Sequence, residues 1–271
     1  MLLKDRVAII TGGGRGIGRG VALRFAREGA RLALVDIEQS HLDETARELE
    51  ARQPGADYIL QQADVSSSAD VQRFFDATIA RFGRLDILVN NAGIGNPPVP
   101  IIDMPEEAWD RTLAVNLKSV FLCSKLAARQ FIAQGTGGRG PGGRGSGGRI
   151  ISVASQAGKT GYARLTPYCA SKAGIILFTQ AMAKELGEHQ ITVNCVCPGT
   201  IDTPLLRGAG MGIQAPDDLF KQLIGSVLPT IPLGRIGYPE DVAKIITFLA
   251  SDEADYMTGQ AINITGGQEM H

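Results

Sequence analysis

A tyrosine and a lysine stand four residues apart, at Tyr168 and Lys172, in a stretch with a helical pattern. Side chains four positions apart on a helix project from the same face, about one turn from each other. An ammonium close to a phenol favours the phenolate and lowers its pKa from about 10 toward neutrality, so such a tyrosine can act as a general acid or base. Ser155, at the end of a predicted strand, supplies a hydroxyl that could bind a substrate oxygen. The Tyr-x-x-x-Lys spacing alone is common by chance.

A second group of residues could hold a phosphate. The segment TGGGRGIG, residues 11–18, follows the first predicted strand and opens the first predicted helix. Glycines there let the backbone turn sharply and approach a pyrophosphate, which the unpaired N–H groups of a helix N-terminus stabilise. The spacing differs from G-x-G-x-x-G, so the alternative is a plain structural turn. Its position between a strand and a helix favours a dinucleotide site.

Asp36 ends the second predicted strand, where a carboxylate can accept hydrogen bonds from the ribose hydroxyls of an adenosine. Its negative charge would repel a 2′-phosphate, and the next residue is Ile37 rather than a basic one. We therefore expect the cofactor to be NAD. Arg15 keeps NADP open, because a guanidinium in the glycine segment can bind a phosphate. The alternative for Asp36 is a solvated carboxylate at a strand end.

The elements that would position these residues alternate along the chain between short apolar runs and amphipathic segments. Strands that are apolar on both faces and joined by helices indicate a parallel sheet covered by helices on each side. We predict an α/β fold, a single doubly wound Rossmann-type domain over residues 1–271 with a parallel sheet of about seven strands. Strands are predicted at residues 7–11, 31–36, 58–63, 86–90, 149–154, 191–197 and 260–264, and helices at residues 17–28, 69–82, 106–134, 167–187 and 239–249.

Two stretches break this alternation. Residues 135–148 hold nine glycines in fourteen positions and no large apolar side chain, which predicts a flexible loop. The arginines in it faintly resemble RGG-type RNA-binding tracts, but the absence of aromatic residues favours a plain surface loop. Residues 203–232 show no strand pattern and are expected to be an irregular substrate loop, since a long segment of this kind is more often a lid than a passive connection.

Composition excludes several classes of protein. Of the 271 residues, 44% are hydrophobic and 20% charged, a globular balance that excludes wholesale disorder and a coiled coil. Lys and Arg total 27 against 28 Asp and Glu, so there is no whole-molecule field that would attract nucleic acid or an anionic membrane. The four cysteines are too few for a disulfide scaffold and have no histidine at ligand spacing, so no metal site is expected. The expectation is a cytoplasmic protein without nucleic-acid or membrane partners, because no export signal or apolar span is present.

Together these motifs resemble those of the short-chain dehydrogenase/reductase family. The resemblance runs in order over almost the whole chain: TGGGRGIG at 11–18, DV at 64–65, NNAG at 90–93, VNLKSVF around Asn116, Ser155, YCASK at 168–172 and PGTIDTP at 198–204. It implies a Rossmann-type enzyme that transfers hydride between a nicotinamide and a carbonyl or alcohol. Hydroxyl donors at the carbonyl oxygen would stabilise the negative charge that hydride addition leaves there.

The resemblance also implies a role for each matching residue. Tyr168 would donate or remove the hydroxyl proton, and Ser155 would donate a hydrogen bond to the carbonyl oxygen. Lys172 would bind the nicotinamide ribose and lower the pKa of Tyr168, while Asn116 would hold a proton-relay water. The residues implied to bind NAD are Gly12, Arg15, Gly16, Ile17, Gly18, Asp36, Ile37, Asp64, Val65, Asn91, Ala92, Gly93, Tyr168, Lys172, Pro198, Gly199, Ile201 and Thr203. The substrate pocket is expected to be lined by Ser155, Gln156, Tyr162, Leu205 and Leu206.

The substrate is less well defined than the chemistry. SQAGKTG from Ser155, LGRIGYPEDVA at 233–243 and DYMTGQ at 255–260 look most like NAD-linked polyol, diol and acetoin dehydrogenases. A 3-oxoacyl-carrier-protein reductase is the alternative, and a catalytically silent dinucleotide-binding protein is the alternative of another class, since a fold alone does not prove a function. By the same resemblance we expect a homotetramer acting on a small alcohol or ketone.

Overall fold

Seven parallel strands form one sheet in the part of the chain that the computed structural model describes, residues 1–135, 147–208 and 217–271. The strand order is β3-β2-β1-β4-β5-β6-β7, and every neighbouring pair is parallel. This is the predicted Rossmann-type α/β architecture. The strands are β1 Val7–Thr11, β2 Arg31–Asp36, β3 Tyr58–Gln62, β4 Ile87–Asn90, β5 Arg149–Val153, β6 Thr192–Pro198 and β7 Ala261–Ile264.

Helices connect these strands and cover both faces of the sheet. They are α1 Gly16–Arg27, α2 Gln39–Arg52, α3 Ser68–Phe82, α4 Glu106–Leu113, α5 Ser119–Ala133, α6 Thr166–Leu186, α7 Asp217–Val227 and α8 Pro239–Ala250. The helix predicted over residues 106–134 is present but is interrupted by a π-helical turn, Ala114–Lys118, which separates α4 from α5.

Helix α7 corrects the expectation that residues 203–232 are irregular. The apolar residues Phe220, Leu223, Ile224 and Val227 recur at helical spacing, a signal that the surrounding glycines and prolines obscure in the sequence. Helix α2 was also not predicted. Its buried positions, Leu42, Thr45, Ala46 and Leu49, follow the helical period in a segment otherwise rich in charged residues.

The core consists of two apolar layers, one on each face of the sheet. Strand β1 is buried on both sides, with Val7 and Ile9 in one layer and Ala8 and Ile10 in the other. The layer with Val7 also contains residues of α3, α5 and α6, and the layer with Ala8 contains residues of α1, α2 and α8. Burial of each such aliphatic side chain stabilises the folded state by roughly 1.5–3 kcal/mol relative to its exposure to water. The central strands, which are apolar on both faces, are therefore held in the interior of the molecule.

The strand order reverses between β1 and β4, the two central strands. Connections from these neighbouring strands leave toward opposite sides of the sheet, which opens a crevice at their carboxyl ends. The glycine segment follows β1, the NNAG segment follows β4, and Ser155 follows β5. The topology thus brings motifs that are distant in sequence to one edge of the sheet.

Residues 136–146, most of the glycine-rich loop predicted at 135–148, lie outside the described residues. Within the described ranges, no helix is both long and apolar enough to cross a membrane. The same residues contain no group of three or more His, Cys, Asp or Glu side chains that could hold a metal ion.

Candidate functional site

A cleft of about 390 Å³ lies at the carboxyl ends of the central strands. Every residue predicted to bind the cofactor or substrate lines it, apart from Gly18, and three of the four predicted catalytic residues, Ser155, Tyr168 and Lys172, do so as well. Asn116 and Gly18 lie behind the wall. One end of the cleft is built from the loops after β1, β2 and β3, and the other from Ser155 and the loops that precede α6 and follow β6.

The glycine segment has the close packing that a dinucleotide cradle requires. Gly12 and Gly16 have positive φ angles of 63° and 54°, which side chains other than glycine rarely adopt. A Cβ on Gly18 would lie 2.0 Å from the carbonyl oxygen of Gly12, so only glycine fits where the helix meets the strand. Asn91 fixes the turn by donating from Nδ2 to the carbonyl oxygens of Thr11 and Gly12, at 2.9 and 3.0 Å.

The first turn of α1 can accept an anion. Arg15 makes no side-chain cap to this helix and the first turn contains no acidic residue, so the initial N–H groups have no side-chain acceptor among the described residues. These donors and the positive end of the helix dipole face the cleft beside Gly16 and Ile17. The residues present therefore fit the pyrophosphate of a dinucleotide.

Asp36 lies at the end of β2 and is 8% exposed. Its Oδ2 accepts from the Gly14 N–H at 3.0 Å and its Oδ1 from the Glu38 N–H at 3.2 Å, which fixes the carboxylate at the edge of the cleft. His41 Nδ1 lies 3.8 Å from Asp36 Oδ1, a neighbour that the sequence did not indicate. The carboxylate is thus placed where it can accept from ribose hydroxyls, with the exposed Ile37 next to it.

The loop after β3 closes the same end of the cleft. The Asp64 N–H donates to Asp70 Oδ2 at 2.9 Å, and Asp64 Oδ1 accepts from the N–H and hydroxyl of Ser66. This network leaves the apolar Val65 and the backbone of Ala63 along the cleft wall. An apolar wall beside a fixed polar loop suits one face of an adenine ring.

Ser155 and Tyr168 meet at the other end of the cleft. Ser155 precedes a short 3₁₀ turn, and its Oγ accepts from the Ala157 N–H at 3.1 Å. Burial raises the pKa of the Tyr168 phenol, and the neighbouring Ser155 hydroxyl opposes this shift. Burial outweighs the effect of the hydroxyl, so the pKa of Tyr168 is raised above its ordinary value of 10 rather than lowered as the sequence predicted. The expected lowering of the Tyr168 pKa was therefore wrong for the protein without its cofactor. The free-energy cost of removing the phenolate from water exceeds the stabilisation that neighbouring groups give it.

Lys172 lies one turn further along α6 and is 4% exposed. Its Nζ donates to the carbonyl oxygen of Val153 at 2.8 Å and stands 5.6 Å from the centre of the Tyr168 ring. Burial of the ammonium lowers the pKa of Lys172 to about 8. A Cβ on Gly93 would lie 3.5 Å from this Nζ and 3.3 Å from Asn116 Oδ1, so Gly93 keeps open the space above both groups.

Asn116 occupies the π-helical turn and is fully buried. Its Oδ1 accepts from the Ile94 N–H at 2.8 Å, while its Nδ2 donates to the Ile94 carbonyl at 2.9 Å and to Ser171 Oγ at 3.1 Å. The side chain therefore joins the loop after β4 to α6, next to Lys172. All its polar atoms have protein partners, and the proton-relay role remains a prediction.

The substrate end contains the residues predicted for it. Gln156, Tyr162, Leu205 and Leu206 line the cleft, and the Leu206 N–H donates to Thr203 Oγ1 at 3.3 Å, which ties Leu206 to the cofactor-side loop. Residues 209–216, which continue this loop, lie outside the described residues.

Comparison with known proteins agrees with this geometry. A family model described as enoyl-(acyl carrier protein) reductase matches residues 12–269. The chain belongs to the short-chain dehydrogenase/reductase family. As a member of that family it is an oxidoreductase enzyme.

Similar proteins of this family match over their whole lengths. A (3R)-3-hydroxyacyl-CoA dehydrogenase of Canis lupus familiaris is 39% identical over 99% of this chain and 98% of its own. A 3-oxoacyl-(acyl-carrier-protein) reductase FabG of Thermotoga maritima is 38% identical over 98% of this chain and 99% of its own. The crystal structure of levodione reductase superimposes with a TM-score of 0.90 at 32% identity, covering 98% of each chain.

Some lining residues of this short-chain dehydrogenase/reductase were not predicted. Arg111 on α4 and Val115 in the π-helical turn both line the cleft, as do Ile94 and Gly95 after β4. The four-residue spacing of Arg111 and Val115 could have indicated this, since it places them on one helix face. A larger hollow of about 720 Å³ between α1, α2 and the start of α8 contains many arginines but none of the proposed catalytic residues.

Replacing the buried lysine should change how stability depends on pH. The folded pKa of Lys172 is about 8, below its ordinary value of 10.5, so the folded protein binds fewer protons between these values and wild-type stability gains from rising pH. We expect Lys172→Met to raise the free energy of unfolding more at pH 7 than at pH 9.5, with a difference of about 2 kcal/mol. Urea unfolding of the two cofactor-free proteins at both pH values measures it. An equal change in the free energy of unfolding at the two pH values would contradict a lowered pKa of Lys172 in the folded protein.

Proposed function

We propose that this enzyme is an NAD(H)-dependent oxidoreductase that interconverts a secondary alcohol, a polyol or diol, with the corresponding ketone. The observation that carries the proposal is the meeting of Ser155, Tyr168 and Lys172 at one end of a cleft whose other end presents the Asp36 carboxylate. The bound nicotinamide would supply or take up the hydride. The chain's own residues would manage the proton and the charge on the substrate oxygen.

Two hydroxyl groups are available for that oxygen. The Ser155 and Tyr168 hydroxyls are neighbours and both residues line the cleft, so a carbonyl oxygen entering between them could accept from both. Such preorganised donors stabilise the negative charge that develops on the oxygen when the carbon is reduced. Tyr168 would give up its proton to the oxygen in reduction and recover one in oxidation.

Lys172 would act on Tyr168 through charge. Its ammonium lies on the same helix face as the phenol, and its Nζ lies next to the space that Gly93 leaves open, where a ribose hydroxyl could be bound. A lysine with a pKa of about 8 is charged for most molecules at neutral pH and favours phenolate when the proton leaves Tyr168. Asn116 would hold the loop after β4 against α6 next to Lys172, through its hydrogen bonds to Ile94 and Ser171. It would also support a water-mediated proton path.

NAD is proposed over NADP because of Asp36. Its oxygens are held at the cleft by two backbone N–H groups, and a 2′-phosphate would place further negative charge beside them. Arg15 lines the cleft and is the cation that could partly compensate.

A second substrate class, a 3-oxoacyl thioester, is favoured by two of the similar proteins. Their names describe a 3-hydroxyacyl-CoA dehydrogenase and a 3-oxoacyl carrier-protein reductase. We place the polyol or diol first because the polar side chains of Ser155, Gln156 and Tyr162 all line the substrate end of the cleft. Purified protein should be mixed with NADH and acetoin, diacetyl, a ketose or acetoacetyl-CoA, and the nicotinamide absorbance followed. No turnover of any of these, or of polyols with NAD, would favour a catalytically silent binder.

Tyr168→Phe should keep NAD binding but lose at least about a hundredfold in kcat, roughly 3 kcal/mol of transition-state stabilisation. The phenylalanine fills the same space but can neither give nor take the proton. Steady-state kinetics measure the loss, and fluorescence titration with NADH is the control for binding. Near-normal turnover would refute the acid–base role.

Asp36→Ala should narrow the preference for NAD over NADP by about tenfold or more, because it removes both the ribose acceptor and the charge that repels a 2′-phosphate. The ratio of kcat/KM values for the two cofactors measures it with one substrate held constant. An unchanged ratio would mean that another group distinguishes the ribose.

We also propose that the enzyme is a homotetramer. Support comes from exposed apolar side chains on the two long helices, Phe121 and Ile132 on α5 and Leu177 on α6. Side chains of this kind on adjacent helices suit a contact between copies of the chain. Light scattering should give a mass close to four times 28.7 kDa, and a monomer mass would contradict the proposal.

A further inference from the structure

A second phenol, Tyr162, stands at the substrate end of the cleft and is held by a buried amide. Gln156 follows Ser155 directly and is 8% exposed, and its Nε2 donates to the Tyr162 hydroxyl oxygen at 2.9 Å. Tyr162 itself is 37% exposed and lines the cleft. The exposed phenol is thus presented to the substrate, and its partner Gln156, which also lines the cleft, is largely buried.

The direction of this hydrogen bond determines what Tyr162 can offer. With Gln156 Nε2 as the donor, the phenol oxygen is the acceptor and its own O–H stays available, while Gln156 Oε1 is buried and has no partner among the described residues. Across the residues that the structure describes, no protein group accepts this proton. Burial and the nearby Glu269 carboxylate raise the pKa of Tyr162, so the phenol remains a donor at neutral and moderately alkaline pH.

The segment that carries Tyr162 is fixed on several sides. The Tyr162 N–H donates to Cys169 Sγ at 3.4 Å, and the Thr160 hydroxyl donates to the Glu269 carboxylate. Asn96 Nδ2 donates to the Arg164 carbonyl at 3.1 Å, and Arg164 has a φ of 68°, in the left-handed region. A non-glycine residue in that region is held there only where its surroundings outweigh the strain. The phenol therefore has a defined position before any substrate arrives.

We propose that Tyr162 determines specificity by donating a hydrogen bond to a second oxygen of the substrate, and that Gln156 is a positioning residue that orients it. This rests on the proposed function, in which the Ser155 and Tyr168 hydroxyls take the reacting oxygen. Gln156 adjoins Ser155 in the chain, and Tyr162 lines the same cleft as the Ser155 and Tyr168 hydroxyls, so its phenol is placed to meet another atom of the same substrate. The substrate class is a ketone that carries another oxygen acceptor close to the reacting carbon.

A ketone with a hydroxyl on the neighbouring carbon and a ketone with an ester carbonyl one carbon further away both fit this description. Each can be compared with a ketone of the same chain length that lacks the second oxygen. Acetoin has a hydroxyl on the neighbouring carbon, and 2-butanone is the same chain without it. Methyl acetoacetate has an ester carbonyl one carbon further away, and 2-hexanone is its counterpart without the ester oxygens. In the wild type we expect kcat/KM to be at least tenfold higher for the oxygenated member of one pair. The pair with the larger ratio identifies the position of the second oxygen.

Tyr162→Phe should lower that ratio about tenfold, which corresponds to about 1.4 kcal/mol, the size of one hydrogen bond. A change that only disturbed the fold would reduce both members of a pair alike and leave their ratio unchanged. Tyr256→Phe, which removes a phenol hydroxyl from a fully exposed side chain, is the matched control and should not change the ratio.

Gln156→Met removes the donor while retaining the length of the side chain. It should lower the ratio about threefold in the wild-type background and have no further effect on it in Tyr162→Phe, because Gln156 acts through the phenol. Equal falls in both backgrounds would overturn the positioning role.

The outcomes distinguish this inference from the proposed function. If the wild type reduces these ketones but Tyr162→Phe keeps the wild-type ratios, the second-oxygen site is wrong and the oxidoreductase proposal stands. If none of the four is reduced, the proposed function fails for these substrates. Calorimetric binding of acetoin and 2-butanone to the wild-type and Tyr162→Phe proteins with NAD present then decides the role of Tyr162, since equal affinity ratios would overturn it.

Discussion

The bond from Lys172 Nζ to the Val153 carbonyl joins the last residue of β5 to the second turn of α6, and the arrangement of the site depends on it. A buried ammonium needs a strong acceptor nearby, because an unpaired buried charge is costly. The Val153 carbonyl oxygen, at the end of a buried strand, provides that acceptor at a fixed position in the sheet. Once Lys172 is bound there, the helix phase places Tyr168 over the cleft and next to Ser155, two residues beyond Val153.

The two ends of the cleft are formed by different parts of the chain. The cofactor end consists of backbone turns held by backbone and short side-chain hydrogen bonds, such as those of Asn91 and Asp36. The substrate end contains longer side chains, Tyr162, Leu205 and Leu206, on loops that join the elements. Such a division lets a fixed cofactor geometry serve different substrates, because loops can change without altering the sheet.

Much of the fold could be predicted because β1 and its neighbours are apolar on both faces and the glycines mark the turn into α1. The helix α2 was missed because its charged surface hides a narrow buried stripe around Leu42 and Leu49. The direction of the Tyr168 pKa was missed for another reason. Spacing shows that an amine is near, but how far the phenol is removed from water depends on the tertiary packing around it, which no local pattern reports. The His41 neighbour of Asp36 likewise depends on the packing of α2 against the glycine segment.

The π-helical turn at Ala114–Lys118 changes the angular relation between α4 and α5. One residue corresponds to about 100° of rotation on an α-helix. A deletion of one residue that restored a regular helix would turn Arg111 and Val115 away from the cleft while α5 kept its buried face against the sheet. The π-helical turn thus rotates α4 relative to α5. As a result, Arg111 and Val115 can face the cleft while α5 packs its apolar face on the sheet, which one regular helix could not do.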